Sequence, residues 1–202
     1  MVSFAEHVKS SFGKEFAGRK DEFYDYRKLY KERLMEFRKT DESVVRLEKP
    51  TNIPRARSLG YKAKRGFVVV RVRVRKGSGI HRRPSRARKP KRMGVNKLTR
   101  RISIQGIAEK RANKKHPNCE VLNSYFVGED GKNKYFEVIM IDTGAPEIIA
   151  DKDVSWIFSG KHHNRAERGL TSAQKKSRGL RRKGKGAEKV RPSQRAHDRK
   201  AK

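Results

Sequence analysis

The chain has 202 residues, 34% hydrophobic and 38% charged, and its 54 Lys and Arg against 22 Asp and Glu leave a formal net charge of +32. That is length for one ordinary domain and a little more, with too few hydrophobic residues to bury all of it. A lone cysteine, Cys119, excludes an intrachain disulfide, and no run approaches the roughly eighteen apolar residues of a membrane span.

Residues 1–48 hold 11 basic and 10 acidic side chains and read as foldable. Met1 to Phe12 lacks the charged head and continuous apolar run of a signal peptide, so a cytoplasmic site is expected. Phe4, Val8 and Phe12 recur every four residues and predict a short amphipathic helix ending at Gly13 or Gly18. From Asp21, the spacing of Phe23, Tyr26, Tyr30, Leu34 and Phe37 predicts a second helix whose aromatic stripe packs on a core. Ser43 to Leu47 reads as a strand, and Pro50 and Pro54 bracket an irregular connector.

Between Lys49 and Ala108 there are 20 basic residues and no acid. Like charges so placed repel, so the counter-charge must come from outside, and a nucleic-acid backbone is the commonest dense source. Phe67 to Val74 is the clearest strand: Val68, Val70, Val72 and Val74 lie on the face turned to the core. Phe67, Val69, Arg71, Arg73 and Arg75 lie on the other, as a row suited to phosphate. Lys76 to Arg92, broken by Gly77, Gly79, Pro84 and Pro90, is extended or disordered when free. Ile104, Ile107 and Ala108 predict a helix to about Lys115, closed by His116-Pro117.

Residues 109–160 return to balance, with 7 basic and 9 acidic side chains. Glu120 to Val127 and Tyr135 to Ile141 flank Gly128-Glu129-Asp130-Gly131 and predict a β-hairpin, with Phe136, Val138 and Met140 in the core. Val154, Trp156, Ile157 and Phe158 form a last apolar patch. Residues 161–202 hold 16 basic and 3 acidic residues, and Leu170 and Leu180 are the only large aliphatics before Val190, so a flexible polycation is expected.

Catalytic and metal patterns are weak. Cys119 beside Val121 reads as a small buried residue. His162-His163 with one cysteine is too small a ligand set for a metal, and Asp151 and Asp153 read as turn or capping groups before a magnesium site. Gly184-Lys185-Gly186 lacks the strand and the GK[ST] ending of a P-loop, and no nucleophile–base pair has a recognisable spacing.

Several blocks resemble one family. Ala56-Arg57-Ser58-Leu59-Gly60-Tyr61-Lys62-Ala63-Lys64, running into the Val/Arg strand and Gly77, is similar to the large-subunit ribosomal protein family "fifteen-e" of archaea and eukaryotes, unrelated to the bacterial protein of that number. So are Pro90-Lys91-Arg92-Met93-Gly94-Val95-Asn96, the stretch from Val121 to Asp130, and Arg168-Gly169-Leu170-Thr171-Ser172-Ala173. The tail from Gly179 to Pro192 looks like the archaeal form. The likeness runs from about Ser43 to Pro192. Departures are Phe126 where the family usually has Trp, Gln174 where it has Gly, and a divergent first twenty residues, so no contact is carried over to His7 or Lys9.

The resemblance implies a small α+β domain with a four-stranded antiparallel sheet packed by helices, embedded in large-subunit rRNA, with a basic arm and tail threaded between RNA helices. The expected division is a globular domain over 1–160 with the arm at 76–101, and a basic extension over 161–202. Expected RNA ligands before and in the strand are Arg55, Arg57, Lys62, Lys64, Arg65, Arg71, Arg73 and Arg75; in the arm they are Arg82, Arg83, Arg86, Arg88, Lys89, Lys91 and Arg92. In the tail they are Arg165, Arg168, Lys175, Lys176, Arg178, Arg181, Arg182, Lys183, Lys185, Lys189 and Arg191. Partners expected are large-subunit rRNA and neighbouring ribosomal proteins, with no cofactor, metal, membrane or small-molecule substrate. The competing readings are a non-specific, chromatin-type DNA binder and an RNA-processing enzyme.

Overall fold

A computed structural model describes residues 3–78, 81–95, 98–100, 102–182, 184–193 and 195–198. In chain order the elements are α1 (Phe4–Ala17), α2 (Tyr26–Lys39), β1 (Val44–Leu47), α3 (Ile53–Ser58), β2 (Phe67–Arg75), α4 (Ile104–Lys115), β3 (Cys119–Glu129) and β4 (Asn133–Asp142). The short helices α5 (Pro146–Ile149), α6 (Arg165–Arg168) and α7 (Ser172–Ser177) follow. The four strands form one antiparallel sheet in the order β1-β2-β4-β3.

Local chemistry sets the helix ends. Ser3 and Glu6 form a reciprocal capping box at the start of α1, and Gly18, at φ 62, ends it, the second of the two glycines expected. Asp25 accepts from the Lys28 backbone N–H and so starts α2 after Phe23, which is left outside the helix and 96% exposed. The aromatic stripe therefore begins at Tyr26. The connector expected to be irregular contains α3: Asn52 caps it, and Pro54 sits in the first turn, where a missing N–H leaves no bond unmade.

Register explains the core. Val72 pairs with Val44 on one side and Phe136 on the other, and Val70 pairs with Val138. With Val74, Val121 and Met140 they bury one face against Ala108 and Ala112 of α4. Cys119 lies in this layer, its thiol pushed up to about 11 chiefly by burial, so it is a protonated packing group. The opposite face is covered too, which alternation in β2 alone does not reveal. There Val127, Tyr125, Tyr135 and Ile139 pack on Leu34 and Phe37 of α2 and Ala56 of α3. A third layer of Ile141, Ala145, Ile148, Val154 and Ile157 closes the end, and Gly66 permits it: at φ +90, a Cβ there would stand 2.4 Å from Ile148 Cγ1.

The expectation of an unpacked tail is corrected for residues 165–177. α6 and α7 lie on α4, with Ala166 and Thr171 fully buried. The glue is polar: the buried Glu109 carboxylate accepts from Ser124 Oγ at 2.6 Å, Thr171 Oγ1 at 2.5 Å and Gln174 Nε2 at 3.4 Å.

Candidate nucleic-acid interface

An exposed cationic arm runs between β2 and α4. It leaves the sheet at Gly77, at φ +93, and its two ends are tied by one side chain. Arg100 donates from Nε to the Gly77 carbonyl at 2.5 Å and from Nη2 to the Arg75 carbonyl at 2.9 Å. Apart from a short 3-10 turn at Pro90–Arg92, the described arm has no regular structure. Arg82, Arg83, Arg86, Arg88, Lys89, Lys91 and Arg92 are all exposed. None of them pairs with a carboxylate among the described residues. Arg100 was not among the expected ligands, and nothing in the sequence sets it apart from its basic neighbours.

The arginine row of β2 is divided by the fold. Arg71 is 7% exposed: its guanidinium stacks 4.1 Å from the Phe37 ring centroid and lies 3.9 Å from Glu36 Oε1. Arg71 also faces Glu137, a fully buried acid that accepts from the Thr51 backbone N–H at 3.0 Å and from the Thr51 and Tyr125 hydroxyls. Arg73 is half-buried and donates to the carbonyls of Thr40 at 3.2 Å and Asp41 at 2.6 Å. Only Arg75 is exposed.

Before β2, Arg55 and Arg57 are exposed on α3. Arg65, 87% exposed at its side chain, stands 4.0 Å from Glu147. Lys62 and Lys64 converge on Asp151 at 2.9 and 2.6 Å, and Lys62 also reaches Asp153 at 2.6 Å. Hydrogen bonds from Lys64 and Lys62 hold the Asp151 carboxyl well below the usual carboxylate range. Asp151 Oδ1 also accepts from the Asp153 backbone N–H at 3.1 Å, a turn role. Lysines occupy the place that a cation would need, and no group of three metal-ligating side chains occurs among the described residues.

In the tail, Arg165 is buried, with its guanidinium 4.7 Å from the centre of the Trp156 ring. Its neighbour His163 places Nδ1 3.3 Å from Glu120. Arg168 is exposed and donates from Nη1 to the Lys161 and His163 carbonyls at 3.1 and 3.2 Å. Lys175, Lys176, Arg178, Arg181, Arg182 and Lys185 are exposed, and Arg191 is half-buried. Lys183 and the side chain of Lys189 lie outside the described residues. The arrangement is a set of separated guanidinium forks and ammonium groups on short helices and irregular backbone, able to bind phosphates at many points.

The family model described as Ribosomal L15 matches residues 12–197. A Large ribosomal subunit protein eL15 from Methanocella arvoryzae is 58% identical over 174 residues, which cover 86% of this chain and 88% of that protein. Another of the same name, from Methanospirillum hungatei JF-1, is 56% identical over 171 residues, covering 85% and 87%.

Proposed function

Because the chain belongs to the Ribosomal L15 family, we propose that it binds and braces folded large-subunit rRNA as a structural component of the large ribosomal subunit. In this reading it works in the cytoplasm, catalyses no reaction and has neighbouring ribosomal proteins as further partners. The observation that carries the rRNA contact is the arm, where seven exposed cations stand without a counter-charge among the described residues. Together with Arg75 and the exposed cations of α3 and the tail, they are the proposed phosphate ligands. The packed body, which includes residues 165–177, is the anchor, and the arm at 76–101 and the chain beyond α7 are the parts that enter RNA crevices. Ordering an extended strand costs about 1–2 kcal/mol of backbone entropy per residue, which neutralisation and counterion release offset. Recognition is of backbone and shape, since the narrow major groove of folded RNA hides base edges.

The test is a competition titration of the purified full-length chain with large-subunit rRNA and duplex DNA of equal phosphate content. Preferential binding of rRNA, and release of the native chain from large subunits only at high salt, are expected. Equal affinity for the two polymers would favour the chromatin-type reading instead.

A further inference from the structure

Leu170, Leu180 and Val190, the only large aliphatic residues after residue 160, are too few for a core, yet the fold brings them together. With Pro192 they wall a cavity of about 290 Å³, whose cations are Arg168, Lys175 and Arg178. The Leu180 backbone N–H donates to the Lys175 carbonyl at 3.1 Å and turns the chain back at the end of α7. Instead of closing on one another, the half-buried aliphatics leave a space near the lower limit of small-ligand pockets, about 300 Å³.

Arg178 is a fixed wall of this space. Its Nη2 donates to the Gly169 carbonyl at 2.6 Å, and Gly169, at φ +72, lacks the Cβ that would stand 3.2 Å from Arg178 Cζ. Arg178 and Val190 also line a second cavity, with Arg182, Lys185, Gly184 and Gly186. No acid lines either cavity. None of the five cations pairs with a carboxylate among the described residues. That balance does not depend on where the segment is cut. Residues 165–193 hold 11 basic and two acidic side chains, and one of the acids, Glu167, is taken by Lys110.

We propose that the two cavities together hold one unpaired nucleotide of large-subunit rRNA, its base among Leu180, Val190 and Pro192 and its phosphate on Arg182 and Lys185. The proposal rests on the rRNA reading above. Each nucleotide couples a flat ring with apolar faces to a phosphate one ribose away, which matches an apolar cavity adjoining a cationic one. Unpaired RNA bases stack on guanidinium planes such as that of Arg178, and a base already outside a helix costs least to seat. An apolar protein anchor would fill the first cavity and leave the cations of the second unmatched.

The test uses the full-length chain with a photoreactive diazirine analogue of leucine at position 180, assembled into large subunits and irradiated. The expected product joins residue 180 to the base of one rRNA nucleotide. Adducts to another protein, or to solvent alone, would overturn the proposal. A second variant, Val190→Phe, fills the cavity and keeps every cation. It is expected to bind large-subunit rRNA about tenfold more weakly, the loss of one stacked base, with its circular dichroism unchanged. Affinity equal to that of the unaltered chain would also overturn the proposal. These results leave the rRNA reading standing, whereas absence of the chain from large subunits would remove both.

Discussion

Glu109 is a carboxylate with no solvent exposure in a chain otherwise short of acids, and its titration is open to measurement. Burial raises its pKa from the ordinary 4.5, and hydrogen bonds from Ser124, Thr171 and Gln174 offset only part of the rise. Between the ordinary and the raised value, the folded protein holds more proton here than the unfolded chain does. Stability from this group is therefore largest in acid and falls as pH climbs through that window. Glu109→Gln cannot titrate. The stability of the unaltered protein minus that of the variant should decline with pH from about 4.5 upward and then level off. Urea midpoints at a series of pH values measure this; a difference that stays flat would mean that the carboxyl keeps its water in the native state.

Gly106 shows how α7 is held on α4. In an exposed helix Gly→Ala gains about 1 kcal/mol of helix propensity. Here the new Cβ would stand 2.9 Å from Ile102 Cγ2 and 3.0 Å from Gln174 Cγ. Gln174 cannot swing aside without dropping its bond to the Ala166 carbonyl at 2.6 Å and its contact with Glu109. Gly106→Ala is expected to loosen α7 and leave the sheet intact, so trypsin should cut at Lys175 and Lys176 several times faster with the strand circular dichroism unchanged. Unaltered cleavage there would show that the packing absorbs the methyl. This docking also marks where sequence reading stops. α4, the β3–β4 hairpin and β2 were legible because regularly spaced apolar residues and the Gly128–Gly131 turn mark them in the chain. α7 leaves no such mark, since it docks through Thr171 and Gln174, which look like ordinary tail residues. Phe23 continued a helical period that the Asp25 cap interrupts, and alternation in β2 could not reveal that Phe37 of α2 covers its second face.

Net charge alone does not say which cations bind and which fold, and β2 carries both kinds. Arg75 is exposed, and removing its guanidinium takes away one proposed phosphate contact and no internal ion pair among those described. Arg75→Ala is expected to leave the urea midpoint in place and to make the slope of log K against log salt shallower by about 0.7–0.9. Arg71 is the converse. Its cation–π contact with Phe37 is desolvated, a setting in which such contacts are worth about 2 kcal/mol, and it is the cation facing buried Glu137 across the β2–β4 pair. Removing it strands a carboxylate whose pKa burial already raises, so Arg71→Ala should lose about 2 kcal/mol or more of stability. Its salt slope, measured by filter binding to large-subunit rRNA under conditions where the variant is still folded, should match that of the unaltered chain. If Arg71→Ala flattened the slope as Arg75→Ala does while the urea midpoint held, Arg71 would belong to the phosphate-binding surface and the inward turn of β2 would be wrong.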